Sequence, residues 1–123
     1  MEIRVIHLGL IKTNCFLLSG EKAAVVIDPG FKSELTADFL NQNSDKERLI
    51  LITHAHFDHI GGVKAVFEKT GAKVLISKED EPMLSSSKLS LAAFCGGVQN
   101  NTAAYGNVAD GDVITLGESE IKV

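Results

Sequence analysis

The chain has 123 residues, room for one domain. Its 12 basic residues against 16 acidic ones leave a net charge of −4, which gives no electrostatic footprint for nucleic acid or an anionic membrane. Apolar content of 45% is that of an ordinary globular protein, no apolar run approaches a membrane span, and Met1-Glu2-Ile3-Arg4 lacks the layout of a signal peptide.

Ile3, Val5, Ile6 and Leu8 predict a first strand over residues 3–8, closed by Gly9. Residues 13–19 form a second strand, and Gly20-Glu21-Lys22 turn it into a third at 23–28, an antiparallel meander. Asp28 ends the apolar run Ala23-Ala24-Val25-Val26-Ile27. A carboxylate at the mouth of a buried strand needs a partner, and the loop after the next strand is a candidate. Alternatively, Asp28 is a turn residue before Pro29-Gly30.

Ser33 is placed to cap a helix over 34–43 with an apolar stripe of Leu35, Phe39 and Leu40. Arg48 to Thr53 reads as a buried strand. A second helix is expected over 60–69, with Ile60, Val63, Val66 and Phe67 on one face and Gly71 as its C-terminal glycine. Residues 73–77 make another strand. Strand, helix and strand in that order argue for a βαβ unit with a site at a strand's carboxyl end.

Beyond Ser77 the pattern weakens. Pro82 interrupts any long helix in 78–87, and Ser87 caps a short one over 88–95, stopped by Gly96-Gly97. Residues 96–109 read as a loop, and 113–116 and 120–123 as paired strands around Gly117-Glu118. Cys15 and Cys95, far apart and without a secretory signal, are expected to be reduced thiols in a cytoplasm. Cys15 sits in an apolar strand as a small core residue; Cys95 follows Phe94 beside Gly96-Gly97, and its approach to a functional site is the less favoured reading.

The chemistry is concentrated in Thr53-His54-Ala55-His56-Phe57-Asp58-His59-Ile60-Gly61-Gly62. Neutral imidazole and carboxylate are ligands for zinc, manganese and iron. His54 and His56 are two apart, so an extended backbone sends both side chains to the same side and toward one metal. Asp58 and His59 follow where the chain turns and point to a neighbouring position for a second metal. Taken alone, Asp58 reads more simply as a helix N-cap; the joint pattern favours metal.

This stretch resembles the H-x-H-x-D-H motif of the metallo-β-lactamase-fold hydrolases. Thr13-Asn14-Cys15-Phe16-Leu17 resembles the T-N-C-Y-L strand of their glyoxalase II-like branch, Val26-Ile27-Asp28-Pro29-Gly30 their aspartate-bearing turn, and Asp110-Gly111-Asp112 their D-G-D turn. The likeness runs from about Val5 to Val123. It implies an α/β fold, the N-terminal half of an αβ/βα sandwich, with one mixed sheet and helices on one face. It implies zinc, two ions per complete site, with iron or manganese as alternatives. His54 and His56 would hold one ion, Asp58 and His59 the other, and Asp28 would orient the histidine loop from behind. The activity implied is hydrolysis of a small-molecule thioester, ester or lactam by a hydroxide shared between the metals, with Asp58 as ligand and proton relay.

In the family a stretch resembling H-T-P-G-H-T-x-G, a bridging aspartate and a last histidine come later, and this sequence contains none of them. Its fourth histidine, His7, lies in the first strand, where no family ligand falls. The expectation is therefore a single, apparently truncated domain over 1–123, inactive alone, with a bare sheet face covered by a homodimer partner or a missing C-terminal half. A non-catalytic half-domain is the alternative. A redox di-iron relative would carry glutamate in place of His56, and a nuclease would sit oddly with the acidic balance.

Overall fold

The computed structural model describes residues 1–31, 34–95 and 102–123. Alternating apolar residues pair β1 (Glu2–Leu8) with β2 (Thr13–Ser19), and β2 with β3 (Ala23–Ile27), both antiparallel. Helix α1 (Glu34–Gln42) leads to β4 (Glu47–Leu51), parallel to β3 with Ile27 opposite Leu51. Two short helices, α2 (Phe57–Ile60) and α3 (Val63–Thr70), then lead to β5 (Lys73–Ser77), parallel to β4. A 3-10 turn (Glu81–Ser85) follows, then β6 (Gly106–Val108), and the hairpin of β7 (Val113–Thr115) and β8 (Glu120–Lys122). The main sheet is six-stranded and mixed, in the order β1-β2-β3-β4-β5-β6.

The meander, the parallel β4–β5 unit and the final hairpin agree with the sequence reading. Gly71 ends α3 with φ +68°, and its N–H donates to the Phe67 carbonyl. Several details differ. The helix expected over 60–69 is split, with Gly61 and Gly62 between α2 and α3, because backbone from another turn packs there. Leu35 is exposed, and α1 buries Thr36, Ala37, Phe39 and Leu40 instead. Phe67 lies at the rim of the buried stripe of Val63, Val66 and Thr70 and stays exposed. Residues 87–95 form successive turns rather than a capped helix, with Leu91 at φ +70°. Residues 106–108, read as loop, add the strand β6, whose backbone pairing with β5 needs no apolar pattern. The Ser33 cap and the stretch 96–101 lie outside the described residues.

Each face of the sheet buries its own core. Cys15, Leu17, Val26, Ile50, Val74 and Ile76 pack beneath the helices against Phe39, Leu40, Val63 and Val66. The opposite face was expected to be bare, and it is not. Leu18, Val25, Leu49 and Leu51 pack against Leu116, Ile114 and Ile121 of the β7–β8 hairpin, and Leu116 is fully buried. The hairpin is held in place because the Lys22 N–H donates to the Leu116 carbonyl over 3.0 Å. Cover is incomplete toward β1, where Ile3 remains 56% and Val5 49% exposed. No helix among the described residues is long and apolar enough to cross a membrane.

Two predictions follow from this packing. Leu116→Ala should cost about 2–5 kcal/mol in a denaturant titration; a loss near zero would show that the hairpin does not seal the second core. The second concerns the cysteines. Burial, and then the nearby Asp28 charge, push the Cys15 thiol up to about 12. A thiol ionises in the unfolded chain near pH 8.5, so above that pH the unfolded state binds fewer protons and stability falls as pH rises. One thiol, the exposed Cys95, should react with a disulfide reagent at pH 8, and Cys15 only on unfolding. Rapid labelling of both in the native protein would contradict that assignment.

Candidate metal centre

Beyond Leu51 the chain bends at Thr53 and runs without regular structure to the start of α2 at Phe57. The Ile52 N–H still bonds to the Leu75 carbonyl at 2.9 Å. Three alternate amides then find partners on three different segments. Thr53 N–H donates to Asp28 Oδ1 (2.8 Å), Ala55 N–H to Asp80 Oδ2 (3.1 Å), and Phe57 N–H to the Ser90 carbonyl (2.9 Å). With the amides turned to the protein, the histidines meet one another. The His54 and His56 rings lie 4.9 Å apart in an edge-on arrangement, and the His54 and His59 rings 4.0 Å apart.

Asp28 is 4% exposed and takes φ +53°, a left-handed conformation that Asp tolerates better than most residues. Its carboxylate accepts hydrogen bonds from the Thr53 amide, the Thr53 hydroxyl and His59 Nδ1, the last at 2.9 Å. An ionised carboxylate only accepts, so the Thr53 hydroxyl proton points to Asp28 and the His59 proton sits on Nδ1. Thr53 Oγ1 is then the acceptor for His54 Nδ1, 3.1 Å away. Both rings therefore keep their outer nitrogen, Nε2, free of these bonds. That tautomer is the one a metal-ligating histidine needs.

Asp58 lies in the first turn of α2 but does not cap it; its Oδ2 accepts a bond from Thr13 Oγ1 at 3.1 Å. The same oxygen is 3.4 Å from His59 Nε2. His59 thus lies between two carboxylates, Asp28 at Nδ1 and Asp58 at Nε2, an arrangement that suits a cation shared by Nε2 and Asp58. The donor set fits a divalent metal in its chemistry. Among the described residues, however, no three His, Cys, Asp or Glu side chains form a group that would hold one ion.

Close backbone contact fixes the loop's height. Gly62 N–H bonds to the Gly30 carbonyl at 2.7 Å, and a Cβ on Gly62 would lie 2.3 Å from the Pro29 carbonyl oxygen. A side chain at Gly62 would therefore drive the histidine segment off the Asp28 turn. Sequence reasoning singled out His54, His56, Asp58, His59 and Asp28, and the fold brings all five together. His7 is exposed in β1. The reading missed the bonding roles of Thr13 and Thr53, although both sit inside the quoted motifs. It also missed Asp80, which looks like an ordinary acidic residue before Pro82.

The family model described as the metallo-beta-lactamase superfamily matches residues 8–122. A hydroxyacylglutathione hydrolase, GloC, of Haemophilus influenzae is 30% identical over 88 residues, which is 71% of this chain and 42% of that protein. The crystal structure of the B3 metallo-beta-lactamase BLEG-1 superposes with a TM-score of 0.82 at 30% identity, covering 98% of this chain and 59% of that one. TTHA1623, solved in a di-iron-bound form, gives a TM-score of 0.72 at 27% identity over 89% of this chain and 55% of that one. The chain spans about half the length of the curated relatives that it matches along most of its own length. Fold, histidine loop and family model agree, and the chain belongs to the metallo-beta-lactamase superfamily.

Proposed function

We propose that this domain carries the histidine loop of a metal-dependent hydrolase acting on a small thioester, ester or lactam, with a glyoxalase II-like thioester favoured. The observation that carries the proposal is the meeting of three imidazoles and Asp58 at one strand end, with His59 Nδ1 2.9 Å from the Asp28 carboxylate. His54 and His56 serve one metal position, and His59 Nε2 with Asp58 the other. Zinc, or iron or manganese, bound there lowers the pKa of water to about 7 and polarises a carbonyl. Thr13 keeps the Asp58 carboxylate turned toward His59, which leaves its other oxygen for a ligand or a proton.

Each position takes two ligands from this chain, and a catalytic zinc needs three. Weak binding is therefore expected: after dialysis against a mild chelator the chain should retain well under one zinc. His56→Ala should weaken zinc binding at least about tenfold by calorimetry. A His56→Ala chain that binds zinc like the parent would overturn the assignment. Two retained equivalents, with thioester hydrolysis, would mean that ligands arrive from a second copy.

Exposed Ile3 and Val5, beside half-buried Phe16 and Ile27 on the same face, favour a second reading in which two copies pair and neither is catalytic alone. Sedimentation at micromolar concentration decides it: the expected species is a dimer, and a stable monomer would rule the pairing out.

A further inference from the structure

Asp80 occupies the N-cap position of the 3-10 turn Glu81–Ser85, yet its side chain makes no capping bond. Its backbone is at φ −91°, ψ −14°, outside the extended region that an N-cap residue normally takes. The carboxylate instead reaches across the sheet's carboxyl edge to the Ala55 N–H at 3.1 Å. Asp80 itself is fixed from both sides: its N–H donates to Ser77 Oγ (3.3 Å), and its carbonyl accepts from the Met83 N–H (2.9 Å). Ala55 is fully buried, so water does not substitute easily at that amide. The peptide in question joins His54 to Ala55, immediately before His56, and its orientation sets where both rings point.

We propose that Asp80 is a positioning residue for the His54–His56 pair, acting through the Ala55 amide. The anchors on either side, Asp28 at Thr53 and the Ser90 carbonyl at Phe57, fix the ends of the segment but not the peptide between the two histidines. The reason for such positioning rests on the metal reading above. The geometry itself does not, and it is testable without metal.

The test uses the metal-free, isotope-labelled 123-residue chain. In Asp80→Ala the Ala55 amide should exchange with solvent about tenfold faster or more, and the ring resonances of His54 and His56 should shift. The Thr53 and Phe57 amides should keep their parental rates. Asp80→Asn, which retains an acceptor oxygen, should restore most of the protection at Ala55. Unchanged exchange at Ala55, or an equal rise at all three amides, would overturn the proposal. If Asp80→Ala does not fold, Asp80→Ser, whose shorter side chain falls short of the Ala55 amide, decides in its place: Ala55 should exchange faster than in the parent while Thr53 and Phe57 do not, and an unchanged ratio refutes the role. Zinc alone is then added to both chains. A parent whose His54 and His56 signals ignore zinc speaks against the metal reading, while the Ala55 amide still decides the part played by Asp80.

Discussion

The arrangement depends on one buried carboxylate. Asp28 lies at the end of β3 with almost no solvent contact, and a charge in that position is tolerable only with donors around it. It has three, from the Thr53 amide, the Thr53 hydroxyl and the His59 ring, and all three belong to the loop that carries the histidines. The desolvation cost of one residue is thus offset by bonds that fix another segment's shape. Because the register of β3 against β4 sets Ile27 opposite Leu51, Asp28 emerges beside the start of that loop. A slip of one residue would turn the carboxylate to the other face.

Backbone contact supplies the second constraint. The Pro29–Gly30 turn and the Gly61–Gly62 step touch through carbonyl oxygens and amides, with no side chain between them. This contact splits the helix that apolar periodicity alone predicts as continuous. It also lets α2 begin directly after His56, so that the His59 ring turns back over His54. The apolar stripe of α3 then resumes at Val63 and docks on the sheet. Local helix preference yields here to a tertiary contact, as it commonly does near sites.

The most legible parts of the sequence were those in which one face must be buried. Period-two strands, the Asp28 turn, the histidine spacing and the terminal glycine of α3 each follow from a short run of residues. Elements held by partners remote in sequence were not legible. Nothing in Gly106-Asn107-Val108 announces a strand, because its bonds are backbone bonds to β5. Nothing near Asp80 shows that its carboxylate bonds to Ala55, twenty-five residues away. The bare sheet face was expected because the β7–β8 hairpin, correctly read as paired strands, gave no hint of where it would pack. Leu35 and Phe67 show the same limit, since apolar character alone does not say which side of a stripe faces inward.

Three consecutive parallel strands now each contribute at their carboxyl ends: β3 gives Asp28, β4 the histidine loop, and β5, just beyond its end, Asp80. Together they build one wall of the candidate site and fix the histidine loop against it, and among the described residues they bring no three His, Cys, Asp or Glu side chains about a single ion. If the proposed metal reading holds, metal affinity and whatever faces that wall are thermodynamically linked. A surface that adds a donor tightens the metal, and by reciprocity the metal tightens that surface by the same factor. The clamp formed by Asp28, Asp80 and the Ser90 carbonyl makes such coupling efficient, because a loop already ordered loses little conformational entropy when the last ligand arrives.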